Sequence, residues 1–211
     1  MYKTYIFDLD GTLLDTLNDL AAAVNYALRT HGMPEHSIDD VRRFVGNGVR
    51  KLMERAIPDG AANPQFDETF ATFRQYYMAH SLDTTRPYEG IPEALAALKA
   101  RGCRLAVVSN KMMAATQELC QHFFPDTIEV AIGENEAEGI RKKPAPDTVF
   151  AALKALGVGK EGAVYVGESD VDIETARNSG LPCISVLWGF RDREFLIQHG
   201  AKTFISDPGN L

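Results

Sequence analysis

The chain reads as an α/β protein: a Rossmann-like, doubly wound and mainly parallel sheet with an all-helical segment inserted after its first strand. Three observations predict this. Short apolar runs of strand length recur at residues 4–7, 105–108, 163–166 and 184–187, with a weaker run at 129–132. Helical patterns separate the later runs, which is the alternation that builds a parallel sheet. Between residues 16 and 83, by contrast, no convincing strand pattern occurs at all.

Taken in order, Tyr5-Ile6-Phe7 is apolar throughout, as expected of a strand covered on both faces. Leu17, Leu20, Ala21, Val24, Ala27 and Leu28 then recur at helical spacing until Gly32 and Pro34 stop the helix. Ser37 with Asp40 forms a capping arrangement for a short helix that ends before Gly46-Asn47-Gly48. A further helix spans residues 49–57 and is broken by Pro58, and Phe66, Phe70, Phe73, Tyr76 and Tyr77 fit one more amphipathic helix. This block divides the chain into a Rossmann-like core, residues 1–15 and 84–211, and an inserted helical cap, residues 16–83. The hinges are expected near 14–17 and 83–88, because closing lids flex at a few loop positions.

The bulk numbers bound the function. With 211 residues, 45% hydrophobic and 24% charged, the chain can bury a full core. A net charge of −7 disfavours nucleic acid as a partner, since phosphate backbones are held by clustered Lys and Arg. A small anionic substrate stays open, because a metal and a few local cations override the global field. Cys103, Cys120 and Cys183 are odd in number and widely spaced, as free thiols of a reducing compartment would be. Neither a signal peptide nor a membrane span is apparent, so the expectation is a cytoplasmic protein, monomeric or homodimeric, without membrane partners.

The chemistry begins at Asp8-Leu9-Asp10-Gly11-Thr12. It follows the first strand, and the carboxyl ends of strands are where open α/β sheets bind ligands. Asp8 and Asp10 can face one site if the chain turns at Gly11, and neighbouring carboxylates need a cation or a shared proton. Three further polar groups fall at comparable places: Ser109-Asn110 after the second run, Lys143-Pro144 before a helix, and Gly167-Glu168-Ser169-Asp170-Val171-Asp172 after the run at 163–166.

In that order these segments resemble the haloacid dehalogenase-like hydrolase superfamily over essentially the whole length. Asp8-Leu9-Asp10-Gly11-Thr12 resembles its first motif, Ser109 its second, Lys143 its third, and Glu168 with Asp172 its fourth. Phe44-Val45-Gly46-Asn47-Gly48 and Leu52-Met53-Glu54-Arg55-Ala56 resemble the cap of the phosphoglycolate phosphatase branch. The resemblance implies a Mg²⁺-dependent phosphomonoesterase acting on a small phosphorylated metabolite through an aspartyl phosphate. Asp8 would be the nucleophile, Asp10 the acid and base, and Lys143 the fixed positive charge. Thr12, Ser109 and Asn110 would bind the phosphate. As a cap loop, Gly46-Asn47-Gly48 can bring its backbone close to the substrate, and Arg50 or Lys51 either holds a substrate carboxylate or lies on a solvated helix face. The metal would be held by Asp8, the Asp10 carbonyl, and Glu168 or Asp172.

One position departs from the pattern: the first acid of the fourth motif is more commonly aspartate, and here it is Glu168. A second acid at Asp10 favours a phosphatase over a dehalogenase, because expelling an alkoxide needs a general acid and expelling a halide does not. Alternatives on the same fold are a pyrophosphatase, a sugar phosphomutase or a catalytically silent binding module. A signalling receiver domain is disfavoured, since its phosphorylated aspartate follows a later strand and it has no inserted cap.

Overall fold

Apolar runs that alternate between two buried faces set the architecture. In the computed structural model, which describes residues 2–211, the elements follow as β1 (Thr4–Phe7), β2 (Leu14–Asp15), α1 (Leu17–Thr30), α2 (Ile38–Phe44), α3 (Val49–Ala56), α4 (Phe66–His80), β3 (Arg86–Pro87) and α5 (Ile91–Ala100). They continue as β4 (Arg104–Met112), α6 (Met113–Phe123), β5 (Val130–Glu134), α7 (Asp147–Leu156), β6 (Ala163–Gly167), α8 (Asp170–Ser179), β7 (Cys183–Val186), α9 (Arg193–Gln198) and β8 (Phe204–Ile205).

The main sheet has six strands in the order β5-β4-β1-β6-β7-β8, and its strand registers are parallel. Successive side chains point to opposite faces. Tyr5, Phe7, Leu105, Val107, Val164 and Val166 therefore join one apolar core with Ile91, Leu95 and Leu119, while Ile6, Ala106, Val108 and Tyr165 join another with Val149, Leu153 and Ala176. Both faces are covered by helices, which is why the strands read as continuous apolar runs. The strand order reverses direction at β1: the chain builds outward through β4 and β5 on one side, then through β6, β7 and β8 on the other. Phe7 is level with Val107 and Val166, so the segments that follow these strands emerge together at this reversal point.

Two compact units result, one of residues 1–15 with 87–211 and one of residues 16–86. In the second, α1 packs on α4, and Ser37 and Asp40 form the reciprocal capping box at the start of α2. Gly46, Asn47 and Gly48 all take positive φ, at 119°, 62° and 89°, a run that glycine and asparagine tolerate and branched residues do not. Arg55 ties this loop down by donating to the Phe44 carbonyl at 2.6 Å and to Asn47 Oδ1 at 3.0 Å. Asp19, buried in the first turn of α1, accepts from the main-chain N–H and the hydroxyl of both Thr84 and Thr85. Those four bonds hold its carboxyl below the usual range against the opposing effect of burial.

Besides the short pair β2 and β3, which form a separate two-stranded sheet, two differences from the sequence reading concern the main sheet. β4 continues past residue 108 to Met112, with its register against β5 shifted between Val108 and Met112, so Ser109-Asn110 lie within an irregular strand end instead of after the strand. β8, two half-buried residues at the sheet edge, carries too short a pattern to be read in advance. The three cysteines are free thiols, and among the described residues no helix is long and apolar enough to cross a membrane.

Candidate active site

The reversal point at β1 gathers acids and cations from four segments of the core unit. Asp8 leaves the end of β1, its N–H bound to the Val166 carbonyl at 2.9 Å. Its Oδ1 accepts from Lys143 Nζ at 2.7 Å, and the same ammonium reaches Asp172 Oδ1 at 2.8 Å and the Tyr165 hydroxyl at 3.1 Å. Lys143 is almost wholly buried. Burial alone would discharge it, but the two carboxylates reverse the sign and hold it protonated.

Asp172 is the best satisfied acid of the group. Its Oδ1 accepts from Lys143 and from Tyr165 Oη at 2.8 Å; its Oδ2 accepts from Glu168 N–H, Ser169 N–H and Ser169 Oγ. The residue is the third of α8, with Ser169 as N-cap, so a capping box and the helix N-terminus both favour its charge. Burial opposes ionisation here, yet these donors keep its carboxyl below the ordinary value. Asp8 shares the same lysine with fewer donors, and burial together with the Asp172 charge pushes it up.

Glu168 is held differently. It is 4% exposed, and its Oε2 accepts from the Phe190 N–H at 2.9 Å. Burial first, and then the charge of Asp172, raise its carboxyl to about 8, while Arg191 works in the other direction. The loop after β7 wraps it closely: a Cβ on Gly189 would stand 2.5 Å from both Glu168 Cβ and the Gly11 carbonyl. Gly11, at φ 80°, supplies the expected turn after Asp10 and lies under Phe190. Carboxylate oxygens of Asp8, Glu168 and Asp172 all fall within 4.8 Å of one another, a spacing that suits a divalent cation.

Asp10 is turned toward Lys111, whose Nζ stands 3.0 Å from Asp10 Oδ1, and the lysine side chain is only 2% exposed. Thr12 is fully buried and its Oγ1 has no hydrogen-bond partner among the described residues. Ser109 Oγ accepts from the Lys111 N–H at 3.1 Å. The Asn110 side chain makes a reciprocal pair with the Lys143 main chain, donating to its carbonyl at 2.9 Å and accepting from its N–H at 2.7 Å, which fixes the segment that carries Lys143. Gly46, Asn47 and Arg50 belong to the helical unit. There Arg50 lies 4.8 Å over the Phe66 ring and pairs loosely with Glu54 and Asp67, at 3.6 and 3.7 Å.

The structure thus assembles Asp8, Lys143, Glu168 and Asp172 and adds residues the sequence reading did not single out. Lys111 directly follows Ser109-Asn110, and its place beside that polar pair was its available signal. Tyr165 has none, since its hydroxyl lies on a strand that reads as core. Trp188 and Phe190 also donate hydrogen bonds, the indole N–H to the Thr12 carbonyl at 3.0 Å and the Phe190 N–H to Glu168.

Comparison with known proteins identifies relatives of the chain. The sequence model of the haloacid dehalogenase-like hydrolases matches residues 5–186. A phosphoglycolate phosphatase of Aquifex aeolicus is 35% identical across 89% of this chain and 86% of its own. An N-acetylmuramic acid 6-phosphate phosphatase of Pseudomonas aeruginosa is 30% identical across 99% and 92%. A crystal structure from Lactobacillus delbrueckii subsp. bulgaricus, provisionally named a phosphoglycolate phosphatase, superimposes with a TM-score of 0.94 at 37% identity and covers 99% of this chain and 96% of that one.

Proposed function

The chain belongs to the haloacid dehalogenase-like hydrolases, and from that premise we propose that it is a Mg²⁺-dependent phosphomonoesterase acting on a small phosphorylated carboxylic acid of the phosphoglycolate kind. The observation that carries the reading is the buried set at the sheet reversal: Asp8 bound to Lys143, with Glu168 and Asp172 within ligand distance. The Aquifex aeolicus and Pseudomonas aeruginosa relatives are each named for a phosphate ester of an acid, which supports the substrate class.

The donor set fits a divalent cation. Of three clustered buried carboxyls only Asp8 and Asp172 share a lysine, and the pushed-up Asp8 and Glu168 carboxyls are those that an additional positive charge would ionise. Asp8, Glu168 and the Asp10 carbonyl would hold it, with Asp172 behind them, because five donors already occupy both Asp172 oxygens. Bound there, Mg²⁺ would neutralise charge on the phosphoryl oxygens.

The chain's own groups supply the rest. Asp8 attacks phosphorus as the bond to the leaving oxygen breaks, and the Asp10 carboxyl gives that oxygen its proton. Water then attacks the aspartyl phosphate and passes its proton to Asp10, which releases phosphate and restores Asp8. Lys143 holds Asp8 in line, Asn110 holds Lys143, and the Thr12 and Ser109 hydroxyls donate to the phosphate. In this proposal the helical unit acts as a cap, and Gly46, Asn47 and Arg50 belong to substrate selection. The molecule is expected to be cytoplasmic.

A panel of phosphomonoesters assayed with Mg²⁺ and with a chelator tests the reading. Hydrolysis of small acid phosphates that stops on chelation is expected. Absence of turnover across the panel, or turnover unaffected by chelation, would overturn it.

A further inference from the structure

We propose that Lys111 is a positioning residue for Asp10: it holds the second carboxylate in the orientation from which it exchanges a proton with the leaving-group oxygen. The inference rests on the reading of Asp10 as acid and base given above.

Three observations carry it. Lys111 Nζ lies 3.0 Å from Asp10 Oδ1, and both side chains are largely buried, 2% and 16% exposed. Burying an ammonium is costly unless it is paired, so a lysine at this position is retained only where a carboxylate fixes it, and the constraint is mutual. The strand that carries it is also rigidly set. β4 is irregular between Val108 and Met112, the Lys111 N–H is bound to Ser109 Oγ, and its carbonyl accepts from Thr116 Oγ1 at 3.4 Å, at the start of α6. A Cβ on Gly133 of the neighbouring strand would stand 2.7 Å from that same carbonyl, so the backbone here has no room to shift. Lys111 therefore gives Asp10 a fixed anchor on an element separate from its own. Lys143 is already shared among Asp8, Asp172 and Tyr165, so the site has two lysines with separate duties. No new bond is made in this role: the proton moves between Asp10 and the leaving oxygen or water, and Lys111 stays protonated.

A carboxyl displaced by an ångström loses proton transfer but not phosphate binding. Lys111→Met removes the charge and keeps the bulk. It is compared with wild type on phosphoglycolate, whose alkoxide leaves poorly, and on 4-nitrophenyl phosphate, whose phenolate leaves without help. The expected result is a loss in kcat of about tenfold or more on phosphoglycolate, bounded above by the ~10²–10⁴-fold that acid–base catalysis contributes, with a much smaller loss on the aryl ester and little change in KM. Lys111→Arg should recover part of the loss, and Lys111→Met should cost nothing further in an Asp10→Asn background. Equal losses on the two esters, or losses that multiply in the double variant, would assign Lys111 a purely structural role and overturn the proposal. If Lys111→Met does not fold, Lys111→Gln and Lys111→Arg carry the same two-ester comparison with the same criteria. The Asp10→Asn single variant separates the two ideas: if its own loss ignores the leaving group, the underlying reading of Asp10 is wrong.

Discussion

Glu168 decides how the cluster works at the scale of single residues. It is the position that departs from the fourth motif the sequence resembles, and the loop after β7 is arranged around the longer side chain, with the Phe190 N–H fixing one oxygen. Glu168→Asp keeps the charge and withdraws the carboxylate by one methylene. It should therefore lose the Phe190 bond and raise the Mg²⁺ concentration needed for half-maximal activity, about tenfold, because Mg²⁺ tolerates little error in distance. Titration of activity with Mg²⁺ checks this, and an unchanged requirement would mean that the loop follows the shorter acid. Asp172→Ala should act differently. It strips a partner from Lys143 and the cap from α8, so a fall in melting temperature comes first, equivalent to about 3 kcal/mol or more for breaking a buried pair. Asp8→Asn should fold and be inactive, because an amide cannot act as the nucleophile.

Elements explain why the residues meet. Phe7 at the end of β1 is level with Val107 of β4 and Val166 of β6, and site residues follow just beyond that level on each chain segment. Gly189 is the point where the β7 loop presses on that arrangement. Gly189→Ala would place a methyl against Glu168 and the Gly11 carbonyl, and it should both lower stability by about 1–3 kcal/mol and raise the metal requirement, as measured by melting and by Mg²⁺ titration. Much of this level was legible in the sequence, because strands covered on both faces carry an unbroken apolar signal and the helices carry their own caps, as Ser37 with Asp40 does. The irregular end of β4 was not, since Ser109, Asn110 and Lys111 are polar residues inside a strand and look like a loop. Nor was Tyr165, whose ring is core and whose hydroxyl is site. The position of Asp172 could be read, but not its role: only the five converging donors distinguish it from Glu168.

The whole molecule carries the strain of concentrating acids in its interior. Glu168 binds its proton more tightly folded than unfolded, with a carboxyl raised from 4.5 to about 8. Its contribution to stability is therefore intact below about pH 4.5 and is lost as pH rises toward 8. Asp172 is shifted the other way, so its contribution is present above the ordinary carboxylate range and disappears as the solution becomes more acidic. Metal-free protein should accordingly melt at a lower temperature at pH 8 than at pH 5, and saturating Mg²⁺ should remove most of that fall by binding the folded state alone. Calorimetry at the two pH values, with and without Mg²⁺, checks the sign. A melting temperature that rises over this window and ignores Mg²⁺ would mean that the carboxylates are not crowded.

The proposed chemistry requires that Asp8 become covalently phosphorylated during turnover. The direct measurement is rapid acid quenching of the enzyme while it hydrolyses a phosphomonoester, followed by proteolysis and mass spectrometry of the Asp8 peptide. A phosphoryl group on Asp8 that appears within the first turnover, decays as substrate is exhausted and accumulates in Asp10→Asn is the expected result. Product formed with no phosphoryl group on Asp8 at any quench time, or with the group on another residue, would contradict it.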